Sequence, residues 1–108
     1  MQEFALIFRP TRAVDPEALP RRNAAARSWA LALRRDGTLH TASPLDDGGV
    51  VVSQDGVTPI AGGHAIASVL VIKAPSLESA VALAKGHPGL AFGTEIEIRP
   101  VKTGAPPP

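Results

Sequence analysis

Arg9, Arg22, His64 and His87 are the side chains of this sequence best suited to chemistry. Arginine holds an anionic group through a fork of N–H donors. Histidine moves a proton near neutrality, because its ordinary pKa is about 6.5. Together they suit a small carboxylate or phenolate, with His64 and His87 as catalytic residues and Arg9 and Arg22 as substrate-binding residues. Each also has a plainer reading. His64 follows two glycines and reads as an exposed or hydrogen-bonded residue opening a strand. His87-Pro88 reads as a helix terminator whose cation complements the helix dipole. Arg9 and Arg22 read as surface charges, and His40, between Leu39 and Thr41, as a residue on a sheet face.

Other chemistries find less support. Two histidines at one rim have no third ligand at a telling spacing, so no metal is expected. No serine stands in a nucleophile-elbow context. Asp55-Gly56 and Gly62-Gly63 are turn chemistry rather than a phosphate cradle, because neither opens a helix. Arg21, Arg22, Arg27, Arg34 and Arg35 invite an RNA reading. A sheet that binds RNA stacks bases on aromatic side chains, however, and residues 64–73 contain none. Neither a nucleic-acid partner nor a cofactor is expected.

The elements that must position these residues follow from periodicity. Residues 3–9 form a strand that is apolar on both faces, with Phe4, Leu6 and Phe8 on one and Ala5 and Ile7 on the other. Asp15-Pro16-Glu17 opens a short turn, and Pro20 starts the main helix, 20–35. Ala25, Trp29, Ala32 and Leu33 form its buried stripe, with Arg27 and Arg34 opposite in solvent. Gly37 ends it. Residues 38–43 are a second strand, and Val50–Ser53 and Val57–Ile60 flank a turn as a small hairpin. His64–Lys73 is the most apolar strand. A helix capped by Ser76 then buries Leu77, Ala80, Val81 and Ala84 and ends at Gly86; the last strand is 93–100.

That order is the ferredoxin-like βαββαβ pattern with a small hairpin insertion, an α+β fold on an antiparallel sheet. Right-handed crossovers put both helices on one face of the sheet. The same topology places Arg9, Arg22, His64, His87 and the Asp46-Asp47 turn at one end. The opposite end has only Asp36-Gly37 and Pro75-Ser76, which end or cap helices. The uncovered sheet face is apolar and predicts a homodimer joined through it, since monomers rarely leave such patches in water.

Length fits one domain, residues 1–101, followed by a proline-rich tail, 102–108, without fixed structure. A net charge of +1 selects no class of partner by field alone. The absence of cysteine excludes disulfides, thiolate metal sites and a cysteine nucleophile, and suits a cytoplasmic setting. Phe4–Phe8 is too short for a signal sequence, and no apolar run reaches the roughly 20 residues of a membrane helix.

Several segments carry a resemblance. Met1–Arg9 resembles the opening strand of YCII-related (DGPF) proteins. Leu70–Pro100 is similar to their closing half, through Val-Ile-Lys-Ala, then Ser-Leu-Glu-Ser-Ala-Val-Ala-Leu-Ala-Lys-Gly-His-Pro, Phe92-Gly93 and the final Glu-Ile-Arg-Pro. Leu39–Pro44 fits their second strand. The resemblance implies a dimeric α+β barrel. It also implies kinship with proteins linked to dehydrochlorination of small aromatic compounds, with isomerases and with cofactor-free monooxygenases. Two departures stand out. The Asp-Gly-Pro-Phe stretch is replaced by Val57-Thr58-Pro59-Ile60, and the Gly-Gly expected before the central strand by Ala67-Ser68. The suspected His–Asp pair of some members falls on Ala26 and His87, so that mechanism does not transfer. The sequence thus points to a small-molecule pocket in a dimeric barrel, the alternative being a non-catalytic dimeric accessory or regulatory module.

Overall fold

The structure, a computed structural model, describes residues 1–60 and 66–102. Its framework is strand β1, Gln2–Pro10, whose alternation buries Phe4, Leu6 and Phe8 while Ala5, Ile7 and Arg9 point the other way. β1 pairs antiparallel with β5, Ser68–Ala74, and with β6, Thr94–Pro100. β2, Leu39–Pro44, pairs antiparallel with β5, so the sheet reads β2-β5-β1-β6. Register places Leu6 opposite Leu70 on one side and Ile98 on the other, which stacks apolar residues on a single face.

Two helices cover that face: α1, Leu19–Arg35, and α2, Leu77–Lys85. Phe4, Leu6, Phe8, Leu70 and Ile72 from the sheet meet Leu33 and Ala80, with Trp29, Ala30 and Leu83 packed around them. The architecture is the expected α+β one, with an antiparallel sheet and two helices. Asp15 closes the turn before α1 by accepting from the Glu17 N–H at 3.0 Å. Ser76 caps α2 by accepting from the Ser79 N–H at 3.1 Å. At that same end the Asp36 carboxylate accepts from the Thr38 N–H at 2.9 Å, so these polar groups are engaged in ending helices.

Several local expectations shift. The α1 stripe is Arg22, Ala26, Trp29, Ala30 and Leu33, while Ala25 and Ala32 are exposed. Alanines weigh little in an amphipathic pattern, so only the two large residues fix the phase. On α2, Leu77 is exposed and Leu83 takes its place against the core. β5 begins at Ser68, and just ahead of it Ala67 donates its N–H to the Phe8 carbonyl at 2.8 Å. The expected strand start at His64 lies outside the described residues, as does the tail beyond Lys102. A 3₁₀ turn, Pro88–Phe92, stands between α2 and β6 where the sequence suggested only a loop.

The hairpin of β3, Val50–Ser53, and β4, Gly56–Pro59, forms its own two-stranded sheet, exposed along its whole length. No described helix is long and apolar enough to cross a membrane.

Candidate functional site

Between α1 and the end of the sheet where β1 finishes lies a cleft of about 360 Å³. Its size falls in the range of small-molecule sites. Phe8, Leu70, Ala26, Trp29 and Ala30 supply apolar walls, and Arg22, Asn23, Ser68, Thr94 and His87 supply polar groups. Ala26 contributes only a methyl group to this wall.

His87 is held from four sides. Its ring lies 4.8 Å, centroid to centroid, from Phe8 and 4.8 Å from Trp29, the latter edge-on. Its backbone N–H donates to the Ala84 carbonyl at 3.0 Å, continuing the end of α2. Its Nδ1 accepts from the Gly89 N–H at 2.9 Å, so the side chain caps the 3₁₀ turn. A Cβ on Gly89 would stand 2.9 Å from the ring and 3.1 Å from Thr94 Oγ1, so this contact requires glycine. The turn is anchored in its own right. Gly93 adopts φ +91°, and its carbonyl accepts from both the N–H and the hydroxyl of Thr11, fixing the first loop against it.

Burial of the ring, and then the charge of Arg22, hold the His87 pKa below its ordinary 6.5. The sign of the pH effect follows. The unfolded chain takes up the proton first as pH falls, so this contribution to stability is fully present above about pH 6.5. It is lost on acidification through that value toward the lower folded pKa. The urea midpoint should therefore fall between about pH 7.5 and 5.5, and fall less in His87→Gln. Equal slopes in the two proteins would mean that His87 titrates alike folded and unfolded.

Arg22 is half-buried, and its Nε and one terminal nitrogen donate to Asn23 Oδ1 at 3.2 and 2.8 Å. The ion pairs among the described residues join Arg9 and Arg99 to Glu97, and the His40 ring lies beside the Glu3 carboxylate. Arg22 thus faces an apolar cleft without a carboxylate partner among the described residues.

Of the four residues singled out from sequence, the structure brings Arg22 and His87 together. Arg9 stands at the same end but on the opposite face, where it meets Glu97 at 2.6 Å. The reason is strand alternation: Phe8 points to the helices, so Arg9 must point away. His64 lies outside the described residues. Asp46 and Asp47 line a separate hollow beside the hairpin rather than this cleft. His40 occupies the open sheet face, 3.7 Å from Glu3. Sequence reading missed Asn23, Arg27 and the Phe8–His87–Trp29 cluster. Arg27 is exposed, as expected, and it also stands at the rim of the cleft. The spacing of Arg22, Ala26 and Trp29 at i, i+4 and i+7 was the signal for the cleft wall.

No family model and no curated protein matches this chain. Among solved structures it is similar to muconolactone isomerase, with a TM-score of 0.64 and 18% identity over 95% of this chain and 93% of that one. It is also similar to a 5-chloro-2-hydroxyhydroquinone dehydrochlorinase from Burkholderia phenoliruptrix, solved in complex with 2,5-dihydroxybenzoquinone. That match has a TM-score of 0.56 and 20% identity, over 94% of this chain and 95% of the other. At these identities the likeness shows the fold alone: a ferredoxin-like α+β chain with two helices on one face of an antiparallel sheet.

Proposed function

We propose that the chain binds a small, oxygen-bearing, anionic ring compound in the cleft between α1 and the sheet, within a YCII-like dimeric barrel. The observation that carries this reading is Arg22, a half-buried cation with no carboxylate partner among the described residues, at the edge of an apolar space. A cation so placed is stabilised by an anion, and the low polarity of its surroundings strengthens the attraction. Phe8, Trp29 and Leu70 offer flat apolar walls to a ring, and His87 a polar contact at its edge. Two structural neighbours are named for muconolactone and for a chlorinated hydroxyhydroquinone, which agrees in chemical class. Arg9 has no part in this site, because it belongs to the other face.

Trp29 is the only tryptophan, so its indole N–H signal reports on the cleft. Titration with 2,5-dihydroxybenzoquinone or a hydroxybenzoate should shift that signal together with His87. Shifts confined to the end near Pro75 and Ser76, or no binding, would remove the cleft as a site and favour the non-catalytic module.

The dimer forms through the open sheet face, where Ala5, Ile7, Val69 and Val71 are half-exposed in the single chain. Burying them offsets the cost of an apolar patch in water. A cytoplasmic setting suits a chain without cysteine. Light scattering at micromolar concentration should return twice the 11.2 kDa chain mass. A clean monomer would count against this interface.

A further inference from the structure

We propose that His87 serves the cleft as a neutral hydrogen-bond donor through Nε2, offering its proton to an anionic or developing oxyanion oxygen, with Gly89 setting that tautomer. This rests on the proposed binding of a small anion in the same cleft.

The geometry assigns the two nitrogens different tasks. Nδ1 accepts from the Gly89 N–H at 2.9 Å, so its lone pair is engaged and the proton of a neutral ring sits on Nε2. The Nδ1–Cε1 edge is pressed against Gly89, where an added Cβ would lie 2.9 Å from each of these atoms. Phe8 and Trp29 restrain the rest of the ring. What remains is the Nε2 edge. Among the described residues nothing hydrogen-bonds to it, and His87 is part of the cleft wall.

The groups around the ring agree with a neutral donor. Arg22 faces it from α1, and its positive charge opposes an imidazolium. Phe8 of β1, Trp29 of α1, Gly89 of the turn and Thr94 of β6 carry no ionisable side chain. A general base needs a bare nitrogen turned to the substrate. Here the bare nitrogen is occupied by a backbone amide. The ligand this arrangement takes is therefore an acceptor, a carboxylate, phenolate or enolate oxygen held between Arg22 and Nε2–H, and not an ammonium.

The test has two arms. In the free full-length protein at neutral pH, ¹⁵N NMR of the histidine rings should show His87 protonated on Nε2, assigned by its loss in His87→Gln. Gly89→Ala should abolish that preference. In the second arm, 2,5-dihydroxybenzoquinone is titrated while the Trp29 indole is followed. His87→Leu should weaken binding about tenfold or more, the usual size for a hydrogen bond to a charged group. His87→Gln, which keeps an N–H donor without a titratable ring, should recover most of that loss. Wild-type protein that binds the probe with Nδ1 protonated, or with mixed tautomers, overturns the donor assignment alone. So does His87→Gln binding as poorly as His87→Leu. Wild-type protein that binds no probe removes the anion site itself and the donor's task with it.

Discussion

Phe4→Ala should lower the stability of this protein by about 3–5 kcal/mol, measured as the urea unfolding free energy at fixed protein concentration. Phe4 has no exposed surface, and β1 holds it between Ile72 of β5 and Pro100 of β6 in register. Its ring is part of the cluster that joins the sheet to Leu33 of α1 and Ala80 of α2, so its removal leaves a cavity under both helices. Small neighbours such as Ala80 cannot swing in to fill it. A loss of this size is a large share of the roughly 5–15 kcal/mol that holds a domain folded. Phe4→Leu keeps most of the volume and should cost less than about 1.5 kcal/mol. Trp29→Ala makes the informative contrast. From sequence Trp29 reads as core, with the same expected loss of about 3–5 kcal/mol. In the structure it is only half-buried and borders the cleft, so truncation widens an existing space rather than creating a sealed one. Its cost should be nearer 1.5–2.5 kcal/mol, roughly half the buried value. A Phe4→Ala loss below about 1 kcal/mol would mean that β1 is not the centre of the core.

The order of elements was legible because each signal was local and strong. Ser76 before an apolar helical run, the two-faced strand at Phe4–Phe8 and the Asp-Gly turn of the hairpin each act within a few residues. The open sheet edge of the site was legible too, since topology alone sends the end of β1, the start of α1 and the His87 loop to one rim. What sequence could not resolve was the face. Arg9 and Phe8 are neighbours in the chain, yet alternation places them on opposite sides of the sheet, and only the packing of the core shows which side has the helices. On α1 the uncertainty was angular. Around Trp29 and Leu33 the alanines Ala25, Ala26, Ala30 and Ala32 fit either flank, and the side chosen decides whether Ala25 or Ala26 meets the sheet. The 3₁₀ turn was hidden for a different reason: its cap is the His87 side chain itself, which a pattern of apolar positions does not register. That hidden turn is what sets the orientation of the imidazole.

Arg22→Ala should reduce affinity for an anionic ring compound by about tenfold to a hundredfold while leaving the urea midpoint nearly unchanged. The affinity loss follows from charge. Arg22 is the half-buried cation of the cleft, its guanidinium steadied by Asn23, and a bound oxyanion would be its counter-charge. The stability should hardly move, because no ion pair to Arg22 is formed among the described residues and Leu33 anchors the helix without it. Arg22→Lys separates charge from shape. It keeps the positive end but not the planar fork, so it should recover only part of the affinity if the ligand is held by paired bonds. Arg27→Ala is the control at the rim: Arg27 is exposed, and a solvated charge at that position should change affinity much less. A second readout comes from His87. Removing the Arg22 charge takes away one of the two causes that depress its pKa, so the His87 titration should move upward toward 6.5, while burial keeps it from returning fully. Anion affinity that survives Arg22→Ala with an unmoved His87 titration would place the ligand elsewhere and leave Arg22 as an ordinary solvated arginine.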